Sequence, residues 1–300
     1  MNDIVVSAEE FSLICKLNND ESVALQRIIH DPEIMRHAYI IAGKAFQDDP
    51  ESEFGIPESS VLAQAWFAAA FLSFDFSRKR FQQLGIPQIV WLDTMSDMAI
   101  WLRHEKRNHG IIGLGKIARS WTALLYRGEV LRFGRLECNR KSVFKYAPLA
   151  GANGDVLVAP GDNVINLHIP EDGPLNIKLC SASVRKMAEF FAERYPGYDW
   201  KGMTCNSWLC DTHLRDLLPE NSNIIKFQAL GIHYPVEEKA DTVFRIFGTQ
   251  DPFALQNTSS LQKKAADFLK QGGVFREEGL FIPRKALEAV QFDLEKINIL

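Results

Sequence analysis

The chain has 300 residues, 46% of them hydrophobic and 24% charged, which is the composition of a folded protein long enough for two domains. A formal net charge of −4 and the absence of a long Lys/Arg block argue against a nucleic-acid partner. The longest apolar run, Val61 to Phe74, is shorter than the ~20 residues of a membrane-spanning helix. It predicts a buried core helix and no membrane partner.

Five cysteines form no tightly spaced pairs, and the N-terminus MNDIVVSAEE has no basic region followed by an apolar core. We therefore expect a reducing, cytoplasmic location. Cys205 and Cys210 are five apart, with no companion pair and no histidine at metal-ligand spacing. Because structural zinc sites need such a second pair, no metal site is predicted.

The first third of the chain has the periodicity of helices. Apolar residues recur three and four apart in SAEEFSLICKL, DESVALQRIIH, PEIMRHAYIIAGKAF and the alanine-rich run, with starts at Ser7, Asp20 and Pro32. A fifth helix is predicted from Pro87 through Leu102 to a break at His109 and Gly110. These segments predict a helical N-terminal domain over residues 1–120.

Beyond Trp121 the pattern changes to that of a mixed domain. Two β-rich runs flank Arg127 to Glu129 and predict a hairpin, while the Gly/Asn/Asp/Pro-rich stretch from Ala147 to Asn163 predicts a loop or a short additional hairpin. The elements predicted after it are a strand at Val164–Ile169, a helix within Ile177–Tyr195, a strand at Trp200–Asn206, a short helix at Thr212–Leu217, strands at Asn223–Gln228 and Thr242–Phe247, a helix at Ser259–Lys270 and a strand at Gly279–Ile282.

This order predicts an α/β (α+β) fold, in which a helical N-terminal domain is followed by a mixed sheet flanked by helices. The second domain is expected over 121–285 and a C-terminal extension over 286–300. A turn that feeds a helix N-terminus beside a parallel strand suits a phosphorylated cofactor, because unpaired backbone N–H groups and the helix dipole favour an anion there.

A competing phosphate-loop pattern lies at GIIGLGK, Gly110 to Lys116. Its eighth position is Ile117, where the motif needs a Ser or Thr hydroxyl for magnesium, and a helix end precedes it in place of a strand. We interpret it as a structural turn between the two domains.

The order of elements resembles the GNAT acyltransferase fold. The segments GRLEC, LHIPEDGPL, SVRKMAEFF, NSWLCD, LLPENSNIIKFQ and LQKKAADFLKQGG look like those of a bacterial family of GNAT-like acyltransferases with a helical N-terminal domain and a divergent GNAT C-terminal domain. The resemblance implies an acyl-coenzyme A donor, acetyl-CoA or another acyl-CoA. It also implies an amine acceptor on a small molecule or peptide.

The phosphate-binding turn of the wider fold is absent here, since PEDGPLNIKLCSAS stands in its place. Gly173 can supply a permissive turn, and Asn176 or Ser181 can cap the helix, so a pyrophosphate could still bind backbone N–H groups. Glu171 and Asp172 would oppose it. The alternative function is therefore a non-catalytic binding module that kept the fold and lost coenzyme A.

The predicted strand Val164–Ile169 carries a candidate base. Alternation places Val164, Asn166 and His168 on one face, and an imidazole suits proton transfer from an amine. The other interpretation is a half-buried histidine bonded to nearby backbone. Leu167, His168 and Ile169, together with Gly173, Asn176 and Asn206, are the predicted cofactor-binding residues.

Two further catalytic candidates come from the flanking strands. If the resemblance holds, Glu137 lies near the acceptor and attracts the amine or acts as a base through water. It could equally be a solvated strand charge or an ion-pair partner of Arg135. Ser207 could protonate the departing thiolate, or simply cap the following helix. Cys205 is expected to be a buried apolar residue, and Asn223 to satisfy a turn.

Overall fold

The computed structural model describes residues 6–46, 58–236, 242–249, 251–253 and 259–288. The chain divides into two compact units, the first formed by Met1–Phe133 with Pro170–Gly173 and the second by Gly134–Ile169 with Pro174–Leu300. The predicted boundaries at 120 and 285 remain predictions, and residues 289–300 of the expected extension lie outside the described residues.

The first unit is helical and ends in one strand. Its elements are α1 (Ala8–Ile14), α2 (Asn19–Ile28), α3 (Pro32–Ala42), α4 (Ser60–Leu72), α5 (Phe74–Gln83), α6 (Gln88–Met95), α7 (Met98–His109), α8 (Lys116–Tyr126) and β1 (Val130–Phe133).

Side-chain caps explain where the first helices begin. Ser7, Asn18 and Asp31 each accept a hydrogen bond from the first turn of α1, α2 and α3, and Asn18 forms a reciprocal capping box with Glu21. The helix α4 is buried along most of its length, as the apolar run predicts. In the described part of the chain no single helix has the length and apolarity to span a membrane, although the bent pair α4 and α5 passes by length and composition.

Two predictions for the first unit were wrong. The run TALLY, residues 122–126, belongs to α8 and not to a hairpin strand. Ala118, Thr122 and Tyr126 recur every four residues and are all buried, which is the pattern of one helical face. The predicted fifth helix is two helices, α6 and α7, which separate at Ser96 and Asp97. The helix α5 was not predicted.

The glycine-rich segment after α7 is a packed turn. Gly110 ends α7 with a positive φ of 72°, and Lys116 is the first residue of α8. A Cβ on Gly113 would lie 2.7 Å from the backbone of Ala63, so glycine is required by close approach to α4. A helix and not a strand precedes the segment, which confirms that the phosphate-loop context is missing. The segment lies within the first unit, although we expected it between domains.

The second unit is built on a mixed sheet. Its elements are β2 (Leu136–Asn139), β3 (Ser142–Val143), β4 (Leu149–Ala150), β5 (Val156–Val158), β6 (Asn163–His168), α9 (Ile177–Arg194), β7 (Trp200–Ser207), α10 (Leu214–Leu217), α11 (Asn223–Gln228), β8 (Ile232–Pro235), α12 (Thr242–Phe247), α13 (Ser260–Lys270), β9 (Glu278–Pro283) and α14 (Arg284–Glu288).

Within this unit the strand order is β2-β6-β7-β9-β8, with β3 also paired to β6. The pair β6–β7 is parallel, and the pairs β2–β6, β7–β9 and β8–β9 are antiparallel. A parallel pair requires a crossover, which the long helix α9 provides. The small hairpin β4–β5 confirms one of the two interpretations of the 147–163 stretch.

Two predicted strands of the second unit are helices. The run Asn223–Gln228 forms α11 because Ser222 caps it by accepting from Ile225 N at 3.3 Å, and Thr242–Phe247 forms α12. Short apolar runs do not distinguish a strand from a buried helix turn, so their periodicity was uninformative. The strand β8 was not predicted, whereas β6, α9, β7, α13 and β9 were.

Candidate active site

The parallel strands β6 and β7 stop pairing before either strand ends. Their last register pair is Asn166 with Thr204, yet β6 continues to His168 and β7 continues to Ser207. Beyond that pair each strand is still paired with its other neighbour, since His168 is opposite Glu137 of β2 and Asn206 is opposite Gly279 of β9. The gap between two parallel strands that part in this way suits a ligand that carries amides.

One face of the sheet is polar across this region. Residues that are paired between strands, or two apart within a strand, share a face. By this rule one face, called here the polar face, carries Glu137, Asn139, Asn166, His168, Thr204, Asn206 and Tyr234, with the buried Val164 and Phe281 beside them. The opposite face carries Cys138, Leu167, Met203, Cys205 and Leu280, all buried. Since a sheet face that only supports a core is apolar, the polar face is the candidate active site.

His168 is anchored by a neighbouring side chain. Its Nε2 lies 2.7 Å from Asn139 Oδ1, and the same oxygen accepts a bond from Asn166 Nδ2 at 3.2 Å. Thr204 Oγ1 in turn donates to Asn166 Oδ1 at 3.2 Å. Burial lowers the pKa of His168 from 6.5 to about 4, because an imidazolium loses its hydration there. The imidazole is therefore neutral at pH 7.

Glu137 is directly opposite His168 in the β2–β6 register, so that the carboxylate and the imidazole share the polar face. It is only 2% exposed, which excludes the interpretation as a solvated strand charge. The nearby Arg135 donates from Nε to Pro174 O at 3.1 Å. The sheet thus brings together two of the three predicted catalytic residues.

Asn206 is held between two tyrosines. Its Nδ2 donates to Tyr146 Oη at 2.6 Å, and its Oδ1 accepts from Tyr234 Oη at 2.6 Å. The Tyr234 ring crosses Gly279, where any Cβ would overlap the ring, and the two tyrosine rings are 4.9 Å apart. The side chain of Asn206 is therefore occupied in this arrangement, and the backbone of the residue remains its means of contacting a cofactor.

Ser207 ends β7 and caps the turn that follows. Its hydroxyl oxygen accepts from Leu209 N at 3.2 Å, and the segment that it caps is a short 3₁₀ turn, Trp208–Cys210. Capping uses the oxygen as an acceptor, so the hydroxyl hydrogen can still be donated. Cys205 is buried, as expected, and accepts a bond at its carbonyl from Cys210 Sγ at 3.5 Å.

The predicted cofactor-binding residues around β6 fall into separate settings. Leu167 is buried on the apolar face, so that only its backbone can meet a ligand at the strand edge, and Ile169 is half-buried one residue beyond the strand. A Cβ added to Gly173 would have no atom within 4 Å, and the φ of this residue is not left-handed, so neither space nor backbone requires glycine there.

Asn176 caps α9, as predicted. Its Oδ1 accepts from Lys178 N at 3.0 Å and from Leu179 N at 3.2 Å. Two of the unpaired N–H groups of the first turn are thereby satisfied by the protein itself. The prediction that this side chain binds a cofactor remains a prediction.

The acidic pair Glu171 and Asp172 is neutralised within the first unit. Arg107 donates to Glu171 at 2.8 Å, and the buried Arg132 forms a close ion pair with Asp172. The sequence suggested that these carboxylates oppose an anionic cofactor. Because each carboxylate is paired with an arginine, its field is largely compensated.

Sequence reasoning missed Asn139, Thr204, Tyr146 and Tyr234. In the sequence Asn139 and Thr204 are recognisable only as polar residues whose neighbours along the strand are buried. Tyr146 and Tyr234 reach the site from a loop and from a strand that were not predicted. Among the described residues no group of three or more His, Cys, Asp or Glu side chains is placed to hold a metal ion.

Comparison with protein families supports this reading of the fold. The profile of the N-acyltransferase N-terminal domain matches residues 16–128, and that of the GNAT-like C-terminal domain matches residues 130–281, which is more than half of the chain. Among curated protein sequences no significant relative was found.

Solved structures of similar fold are acyltransferases. One, an acyltransferase variant in complex with octanoyl-CoA, is 20% identical with a TM-score of 0.72. Another, an acyltransferase in complex with decanoyl-CoA and teicoplanin, is 21% identical with a TM-score of 0.70. In both comparisons the match covers 92% of this chain and 87% of the other. The chain belongs to the family of the GNAT-like C-terminal domain, preceded by an N-acyltransferase N-terminal domain, and is a GNAT-like acyltransferase.

Proposed function

We propose that this acyltransferase moves an acyl group from an acyl-CoA thioester to an amine of a small molecule or peptide, directly within a ternary complex. The observation that carries the proposal is the end of β6–β7 pairing at Asn166 and Thr204, beside a polar sheet face. The parting strand ends suit the amides of a pantetheine arm, and the polar face suits the amine. Holding the two reactants together supplies most of the rate enhancement.

In this proposal His168 is the general base. It is half-buried, whereas Glu137 is only 2% exposed, so the imidazole is the group that an acceptor reaches more readily. The acceptor nitrogen gives its proton to the neutral imidazole as the N–C bond forms and the C–S bond breaks. The Glu137 carboxylate, opposite in the register, stabilises the imidazolium that results.

Ser207 is the proposed proton donor to the coenzyme A thiolate. It lies at the end of β7, on the strand that borders the proposed pantetheine site, and its cap bond to Leu209 N fixes the hydroxyl oxygen. Proton donation to a leaving thiolate requires a positioned hydroxyl of this kind. Leu167, Ile169 and Asn206 contribute backbone groups to the arm.

In this proposal the pyrophosphate lies near the start of α9, where Gly173 and Asn176 were predicted to contact it. Glu171 is paired with Arg107, and Asp172 with Arg132, so that neither carboxylate is an uncompensated negative charge. The donor is proposed to carry a medium-length acyl chain, since the two similar structures hold octanoyl-CoA and decanoyl-CoA. The second of them also holds teicoplanin, which supports a peptide-like amine acceptor.

Thermal shift with free, acetyl-, octanoyl- and decanoyl-coenzyme A tests donor binding. A ligand that binds only the folded protein raises its stability by RT ln(1 + [L]/Kd), about 2.7 kcal/mol at a hundredfold excess over Kd. We expect octanoyl- or decanoyl-CoA to raise the melting temperature most. No response to any of the four ligands would favour the non-catalytic binding module.

Thiol release with a panel of amines then tests the chemistry. We expect His168→Gln to lower kcat by about 100-fold or more, the usual contribution of a general base. Glu137→Gln, which keeps the shape of the side chain, is expected to lower kcat less. His109→Gln, at an exposed position on α7, is the control for the loss of a histidine.

Ser207→Ala has a matched control in Ser259→Ala. Both serines cap a helical segment of the second unit, Ser207 through Leu209 N and Ser259 through Gln262 N at 3.2 Å. Both variants lose a cap, so a lower kcat in Ser207→Ala alone identifies a chemical role. Equal turnover in the two variants would remove Ser207 from the mechanism.

A further inference from the structure

A continuous chain of side chains links His168 to the last paired residues of the parallel strands. Thr204 of β7 donates to Asn166 of β6 at 3.2 Å, and Asn166 donates to Asn139 of β2 at 3.2 Å. The chain ends where His168 Nε2 lies 2.7 Å from Asn139 Oδ1. We call these four residues the amide relay.

The contacts of the relay indicate which imidazole nitrogen carries the hydrogen. His168 Nε2 lies 2.7 Å from Asn139 Oδ1 and 3.4 Å from Asn166 Nδ2. The amide oxygen at the shorter distance has no proton to give, so His168 Nε2 donates to it, and a neutral imidazole with hydrogen on Nε2 has its lone pair on Nδ1. Rotating the Asn139 amide alone would turn its NH₂ group toward the NH₂ group of Asn166, placing two donors together. The arrangement can therefore reverse only if both amides rotate at once.

We propose that Asn139 is a positioning residue, which holds His168 in the tautomer with hydrogen on Nε2 and makes Nδ1 the nitrogen that takes the acceptor's proton. The inference rests on the proposed role of His168 as general base. When Nδ1 takes the proton, Nε2 remains a donor and keeps its bond to Asn139. No hydrogen bond of the relay has to be remade during proton transfer, which is the advantage of a preorganised site.

The charged and titratable groups on the same sheet face set the electrostatic background. Glu137 of β2 is directly opposite His168, and its carboxylate favours the imidazolium. On the β7 side Asn206 is neutral and bonds to Tyr146 and Tyr234. Burial raises the pKa of Tyr234, so this phenol stays protonated. The relay itself contains no charge, and its effect is to orient the imidazole.

Nitrogen NMR of the ¹⁵N-histidine-labelled full chain tests the tautomer directly. The chain has seven histidines, and loss of one signal in His168→Gln assigns that of His168. We expect the neutral ring to carry hydrogen on Nε2. A neutral ring with hydrogen on Nδ1 would overturn the proposal, whether or not any variant folds.

Substitution of Asn139 gives a second readout. Asn139→Asp places a carboxylate against Nε2, and we expect it to raise the pKa of His168 by about one unit or more. Asn223→Asp is the matched control, since it makes the same charge change at an exposed residue of the same unit and leaves this pKa unchanged. An unaltered pKa in Asn139→Asp would contradict the contact on which the proposal depends.

Kinetics separate a positioning role from a structural one. We expect Asn139→Leu to lower kcat by about tenfold or more, without changing KM for the acyl-CoA, since the general base stays but loses its orientation. In Asn139→Asp the pH profile of kcat/KM should shift upward with the NMR pKa. An unshifted profile would overturn the inference. If no amine is acylated, the proposed function fails, and the tautomer measurement decides the role of Asn139.

Discussion

Replacing Gly279 by alanine probes how the polar face of the sheet is held. Asn206, Gly279 and Tyr234 form one row across β7, β9 and β8. The Tyr234 ring crosses Gly279 so that its hydroxyl reaches Asn206 Oδ1 at 2.6 Å. A methyl group on residue 279 would overlap that ring. Gly279→Ala must therefore displace Tyr234 and break its bond to Asn206.

The expected cost follows from three effects. Overpacking a filled site costs about 1–3 kcal/mol, and the lost hydrogen bond costs about 1 kcal/mol. Alanine restricts the unfolded chain and returns about 0.4–1 kcal/mol, because the φ of Gly279 lies outside the left-handed region. We expect a net loss of about 2 kcal/mol in the free energy of unfolding.

Urea unfolding followed by circular dichroism measures this loss. Gly173→Ala is the control, because nothing lies within 4 Å of its Cβ position, and its stability should rise by about 0.4–1 kcal/mol. In a Tyr234→Ala background the overlap disappears, so the cost of Gly279→Ala should fall below about 0.5 kcal/mol. The same cost in both backgrounds would refute the proposed overlap.

Three further outcomes are expected. The pKa of His168 is about 4 in the folded protein and 6.5 in the unfolded chain, so the unfolded chain binds more protons between these pH values. Up to about 3 kcal/mol of stability is therefore present above pH 6.5 and lost as the pH falls to 4. Urea titrations of His168→Gln should lack this loss. The indole N–H groups of Trp101 and Trp121 lie 2.8 and 3.0 Å from Asp97 Oδ2, and Asp97→Ala removes this acceptor. We expect the free energy of unfolding to fall by about 3 kcal/mol or more, and an unchanged melting temperature would contradict this. Ser183→Ala removes the buried hydroxyl that accepts from two backbone N–H groups at the start of β2, at 3.0 and 3.3 Å, and should cost about 1–3 kcal/mol, whereas the exposed Ser60→Ala should cost little in the same assay.

Much of the framework was predictable because local signals agreed with tertiary packing. The capped helices of the first unit and the succession β6, α9, β7 each have a clear periodicity and boundary residues. Alternation in VINLHIP placed Asn166 and His168 on one face, which the register confirms. The assignment to acyltransferases came from the resemblance of whole segments and not from any single motif.

Local sequence was not sufficient where an element is short. The runs Asn223–Gln228 and Thr242–Phe247 look like strands in composition, yet they form helices. A run of only six residues, some apolar and some polar, fits both the two-residue period of a strand and the 3.6-residue period of a helix. Its structure is then decided by caps such as Ser222 and by the surface it packs against.

The sequence by itself determined the two-part organisation, the central crossover unit and the shared face of Asn166 and His168, because these follow from repeats of two and 3.6 residues along the chain. Only the tertiary structure decided that Asn139 orients His168, that Tyr234 reaches Asn206 across Gly279, and that arginines neutralise Glu171 and Asp172. Each of these contacts joins residues at least 28 positions apart, such as Asn206 and Tyr234, and distance along the chain carries no information about such pairs until the sheet register is formed.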